Sequence, residues 1–141
     1  MNATLPPFEP CCSEQEIVQL VHSFYAKVRL DPLLGPIFEQ HVADWDPHLA
    51  QMVDFWSSLL RGTKRFSGAP LSRHMVLPLE EKLFHRWLEL FALTTSEIGN
   101  PQMKAIADAR AARIADHFWR QYQLNNRVHD NAGNHADNAA G

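Results

Sequence analysis

The chain of 141 residues carries 13 basic and 16 acidic side chains, a formal net charge of −3, with 45% hydrophobic and 10% aromatic residues. That length fits one domain on a prior of about 100–200 residues each, and such a chain buries roughly two-thirds of its unfolded surface. The bases are scattered rather than clustered, which argues against a nucleic-acid surface, and no stretch reaches the roughly 18 continuous apolar residues of a membrane span.

The first residues hold Pro6, Pro7, Glu9 and Pro10, with neither a basic start nor an apolar run, so no signal peptide is expected. The only cysteines are the adjacent pair Cys11-Cys12. Such a pair cannot staple a fold, and the chain reads as cytoplasmic and disulfide-free, with a redox or metal role for the pair left open. Residues 1–12 read as a flexible lead-in, 13–124 as the folded domain, and 125–141 as a disordered tail rich in Asn, Ala, His and Asp. There are no repeats and no second domain.

Ser13 and Glu16 form a capping box, after which Ile17, Leu20, Val21, Phe24 and Val28 recur at helical spacing. Tyr25 lies on the edge of that face, where its ring can be buried while its hydroxyl seeks a partner. Asp31-Pro32 ends the helix. Leu33–Phe38 make a tight turn or short helix around Gly35-Pro36. Asp46-Pro47 predicts a helix start that runs to Leu60 or Arg61, with Gly62 as the stop. Its apolar rows are Leu49, Val53, Trp56, Leu60 and His48, Met52, Phe55, Leu59. His48 therefore heads an apolar row, although a half-buried histidine at a helix start is also the ordinary packing choice.

Thr63–Leu77 is a long connection, with Gly68, Pro70 and Pro78 breaking helical continuity. At its centre stands His74 among apolar neighbours, and neutral imidazole is the commonest protein ligand for a transition metal and the usual protein bond to haem iron. The next helix is predicted to open at Pro78, with Glu80 and Glu81 near its positive end. Phe84, Trp87, Leu88 and Phe91 form its inner face. Gly99-Asn100-Pro101 starts a last helix, with Met103, Ile106, Ala107, Arg110, Ile114 and Phe118 on one side and an end near Leu124. No strand pattern occurs, so the fold class is all-α. The inner faces carry Phe24, Phe38, Phe55, Phe84 and Phe91, ample wall for a flat aromatic ligand.

Several spaced motifs, in unbroken order from about Glu16 to Tyr122, resemble the truncated haemoglobins, in particular their third group. They are Phe24-Tyr25-x-Lys27-Val28-Arg29, Leu34-Gly35-Pro36-Ile37-Phe38, His48 before Phe55-Trp56, Pro70-Leu71-x-x-His74-x-x-Leu77-Pro78, and Trp87-Leu88-x-Leu90-Phe91. The resemblance implies a two-over-two helical sandwich and non-covalent haem b, since no Cys-x-x-Cys-His attachment motif exists. It makes His74 the proximal iron ligand and Tyr25, His48 and Trp87 the distal residues around a bound ligand. Phe38 matches the phenylalanine on the haem face, and Met52 a distal apolar position. Phe55 and Leu77 complete the cofactor-binding set, and Arg73, with Lys64 and Arg65, is a candidate partner for a haem propionate.

The implied function is binding of dioxygen and related diatomic ligands. Several distal donors hold oxygen tightly, which suits chemistry on it better than transport. The leading expectation is a dioxygenase-like reaction with nitric oxide, or peroxidase-like turnover, fed by an external reductase or small reductant. The alternatives are a non-catalytic carrier or sensor, and a helical interaction domain with an empty pocket. A monomer or weak dimer is expected, with no nucleic-acid or membrane partner.

Overall fold

Ser13 and Glu16 do cap the first helix. The Ser13 hydroxyl accepts from the Glu16 amide at 3.1 Å and the Glu16 carboxylate accepts from the Ser13 amide at 2.9 Å. In the computed structural model, which describes residues 10–66 and 80–140 (125–140 by backbone alone), α1 spans Glu14–Leu30 and buries Ile17, Leu20, Val21, Phe24, Tyr25 and Val28. It stops at Asp31, whose backbone turns extended before Pro32. The Asp31 carboxylate then accepts from the amides of Leu33 and Leu34, both at 3.0 Å, and folds the chain into a tight corner. Out of that corner comes α2, Gly35–His41, with proline in its first turn.

The third helix, α3, spans Trp45–Arg61 and starts earlier than the Asp46-Pro47 signal predicts. Its N-cap is Asp44, which accepts from the Asp46 amide at 3.3 Å. Pro47 then falls inside the first turn, where a missing N–H costs nothing. Gly62 ends the helix in the left-handed region, at φ 66°. The fourth helix, α4, spans Glu81–Ile98 with Glu80 at its N-cap; the expected opening at Pro78 lies outside the described residues. Gly99 closes it at φ 78°.

The last helix, α5, spans Pro101–Ala140, and Asn100 caps it by accepting from the Met103 amide at 3.1 Å. Two expectations change here. The helix does not end near Leu124: the backbone of 125–140 is helical, where a tail without regular structure was expected. No proline follows Pro101, so every amide of an established helix can go on donating along it. The buried stripe also differs, running through Met103, Ala107, Ala111 and Ala115 while Ile106 and Arg110 are exposed. Small side chains at that spacing let α4 and α5 approach closely.

Among the described residues the fold is entirely helical. α1 packs on α3 and α4 on α5, and the two pairs cross, α1 touching α4 and α3 touching α5, with α2 appended to α1. This is the expected two-over-two sandwich. The lead-in also differs from expectation at its end, because Cys11 and Cys12 are buried in the core. Asn100 Nδ2 donates to the Cys11 carbonyl at 2.9 Å and Arg61 Nη1 to the Cys12 carbonyl at 2.6 Å. The segment is thereby fastened where α3 ends and α5 begins. Both thiols are unbridged, and burial, then the neighbouring Cys11, pushes the Cys12 thiol up to about 12. It stays protonated at neutral pH and serves as packing.

The corner after α1 admits no side chain at Gly35. A Cβ there would lie 2.6 Å from the Arg29 carbonyl oxygen, a backbone atom that cannot rotate away. Gly35→Ala is therefore expected to lower unfolding free energy by about 1–3 kcal/mol, as overpacking does, read from the midpoint of a urea denaturation curve.

Candidate functional site

Phe24 of α1 is the meeting point of the inner wall. Its ring sits edge-on to Tyr25 at 5.0 Å, to Trp87 at 5.4 Å and to Phe91 at 5.3 Å. Phe91 in turn stacks with Trp87 at 5.7 Å and lies against Trp56 of α3 at 5.0 Å. Each such pair contributes about 0.5–1.5 kcal/mol beyond its buried area. Rings from α1, α3 and α4 thus fix one another.

Against this wall stand the expected distal residues. Tyr25 is buried and meets His48 edge-on at 5.1 Å and Phe38 at 6.1 Å. A phenol is protonated at neutral pH and so can donate, and burial pushes that of Tyr25 still further above its ordinary range. His48 is half-buried, with its Nε2 shielded from solvent. Trp87, also half-buried, is joined to Tyr25 through Phe24. Phe38 and Met52 are buried. Phe55 is half-buried, edge-on to Trp56 and to Phe66 at 5.5 Å each. The structure therefore brings Tyr25, His48 and Phe38 directly together and links Trp87 to them through one ring.

His74, Arg73 and Leu77 lie outside the described residues. Of the other bases expected near a propionate, Arg65 is engaged elsewhere, pairing with Glu14 at 2.7 Å and Asp54 at 3.6 Å. Lys64 is exposed, at a positive φ of 60°. One residue at the site escaped the sequence reading: Trp45, edge-on to His48 at 5.5 Å and tilted against Tyr25 at 5.8 Å. The available signal was its position three residues before His48, the spacing of neighbours on one helical face.

A second device sets the register of α4. The Asp31 carboxylate, 2% exposed, receives Arg86 Nε at 2.7 Å, and Arg86 immediately precedes Trp87. The turn that ends α1 is thus bonded to the helix that carries the distal tryptophan. Burial raises the Asp31 pKa, but the hydrogen bonds from Arg86 and from the amides of Leu34 and Leu33 outweigh it and hold the carboxyl below its ordinary value.

The residues present fit a flat apolar group bearing a small polar ligand. The walls are aromatic, and the buried phenol keeps its proton. Among the described residues no group of three or more His, Cys, Asp or Glu could hold a metal ion. A two-over-two helical sandwich with this lining defines a globin. Residues 7–120 match the family described as bacterial-like globin. The group 3 truncated hemoglobin ctb of Campylobacter jejuni is 36% identical over 111 residues, covering 75% of this chain and 87% of that protein. The crystal structure of the group III truncated hemoglobin from Campylobacter jejuni superposes with a TM-score of 0.72 at 36% identity, over 83% of this chain and 94% of that one. The chain belongs to the bacterial-like globins, in the third group of truncated haemoglobins, and as a globin it binds haem. No helix among the described residues is long and apolar enough to cross a membrane.

Because the folded Asp31 pKa is depressed, its stabilisation is present above the unfolded value of 3.8 and is lost as pH falls through the folded value. Asp31→Asn should cost about 2–3 kcal/mol at neutral pH, as loss of charged hydrogen bonds does. Urea unfolding at pH 7 and at pH 3 checks both points, with a smaller gap between variant and parent at the lower pH.

Proposed function

We propose that this globin holds haem b through His74 and reacts with dioxygen and nitric oxide, or turns over peroxide, rather than carrying oxygen. The observation that supports this reading best is the contact of buried Tyr25 with half-buried His48 at 5.1 Å, with Trp87 one ring away. Bound haem supplies the iron that holds the gas and the one electron with which dioxygen and nitric oxide combine to nitrate. In this reading Phe38, Met52, Phe55 and Leu77 are the apolar contacts of the cofactor, and Arg73 meets a propionate.

The distal groups then act on a ligand that gains negative charge. Tyr25 donates through its buried phenol O–H. Trp87 has an indole N–H that can only donate. Both side chains are fixed by Phe24, so they need no reorganisation as charge develops, which is the condition for strong electrostatic stabilisation. His48 sits in the first turn of α3, between the rings of Tyr25 and Trp45, and serves as the gate. An external one-electron reductant, from a partner protein or a small molecule, closes the cycle.

Haem titration separates the two histidines: His74→Ala should lose most haem affinity, while His48→Ala should keep it. Equal loss in both would mean ligation by both rings, and the reverse order would exchange their roles.

Stopped-flow mixing tests the distal assignment and the reaction class together. Tyr25→Phe and Trp87→Phe should each speed oxygen release by roughly ten- to a hundredfold, the worth of one hydrogen bond to a charged group at about 1.5–3 kcal/mol. His48→Leu should affect entry more than release. Mixed with nitric oxide, the oxygenated protein should yield stoichiometric nitrate in a rapid phase. A slow reaction limited by oxygen release would make the protein a carrier or sensor instead.

A further inference from the structure

Tyr25, His48 and Trp45 form a closed triangle of rings. The centroids are 5.1 Å apart for Tyr25–His48, 5.5 Å for Trp45–His48 and 5.8 Å for Tyr25–Trp45. Trp45 and His48 are neighbours on one face of α3, while Tyr25 comes from α1. Trp45 is itself held from both adjoining elements. Its Nε1 donates to Glu39 of α2 at 3.3 Å. Arg29 of α1 places its guanidinium carbon 4.5 Å from the indole centroid, the geometry of a cation–π contact. Arg29 Nε also donates to Glu39 at 2.8 Å, so the three groups tie one another together.

We propose that Trp45 is a positioning residue: the Arg29–Glu39–Trp45 brace holds His48 against Tyr25 and so sets how readily diatomic ligands enter. The inference rests on the haem reading above and adds to it a part that lies outside the ligand's immediate surroundings. An indole with both its N–H and its face engaged cannot turn without breaking two contacts. While it stays, the space on its side of the imidazole is filled. Removing the indole gives His48 a second place to go. Arg29 and Glu39 are exposed and about half-accessible at their side chains, so their share is small and the ring packing carries most of the effect.

Carbon monoxide on the ferrous holoprotein is the probe, with the C–O stretching band and the association rate as readouts. Trp45→Ala should add a higher-frequency band, from a ligand facing weaker donors, and raise association by about tenfold, the order expected for two lost ring contacts. Trp45→Phe should restore the parent band, because a ring still fills the space. Glu39→Gln and Arg29→Gln should move the rate the same way by about twofold. An unchanged band and rate in Trp45→Ala overturn the proposal. Should that variant not fold, the combined Arg29→Gln, Glu39→Gln variant decides, and parent-like rates there overturn it. If the protein takes up no haem, the haem reading fails separately, and the brace is read from the His48 ring-proton resonance of the same protein. In Trp45→Leu that resonance should also lose the ring-current shift that Tyr25 imposes, because His48 leaves that ring, and a line that loses only the contribution of the indole would reject the brace.

Discussion

The edge-on packing of Phe24 is the contact on which the rest of the molecule depends. Its ring is the one on α1 that meets Tyr25, Trp87 and Phe91 together, and through Phe91 it is linked to Trp56 on α3. The quadrupoles of aromatic rings favour these T-shaped arrangements over face-to-face ones. The same geometry that binds the two layers therefore fixes where the donors of α1 and α4 sit relative to each other. Core and site are built from one set of contacts, so a repacking that preserved volume but turned Phe24 would preserve the fold and spoil the pocket.

Polar anchors at the periphery fix what the rings leave open. Asp31 gathers two backbone amides and Arg86 at the corner between α1, α2 and α4. Glu14 does the same at the opposite end of α1, bonding Ser57, Arg61 and Arg65, and Ser57 also reaches Thr63 at 3.0 Å. That second cluster ties the end of α3, and the strand of chain leaving it, to the first turn of α1. Ser57 is buried but the charged members are partly exposed, so the value of their ion pairs lies in direction more than in free energy.

Much of this was legible in the sequence where a rule acts within one helix. The capping box, the apolar face of α1 and the Gly62 and Gly99 stops follow from local spacing and backbone freedom. The start of α3 moved because Asp44 and Asp46 are both competent N-caps and Pro47 tolerates either. The alanine stripe of α5 was masked by size: a periodicity weighted toward large residues finds Ile106 and passes over Ala111. The tail misled by composition, since its polar residues hide the absence of any proline after Pro101. Family motifs pointed to Tyr25, His48 and Trp87, but the contact of Tyr25 with His48 depends on how α1 crosses α3. Trp45 went unseen for the same reason, because its partners come from two other helices.

The burial of the cysteine pair has a bearing on chemical durability. A thiol that burial and the neighbouring Cys11 push up to about 12 is almost wholly protonated at neutral pH, and the thiolate is the form that oxidants attack. Cys12 is thus protected twice, by access and by protonation, and Cys11 shares the same enclosure. A pocket that handles dioxygen, nitric oxide or peroxide works beside reactive species, and the most easily oxidised sulfur in the chain is packed away behind the ends of two helices. The pair that first looks like a reactive motif is, in place, among the least reactive parts of the protein.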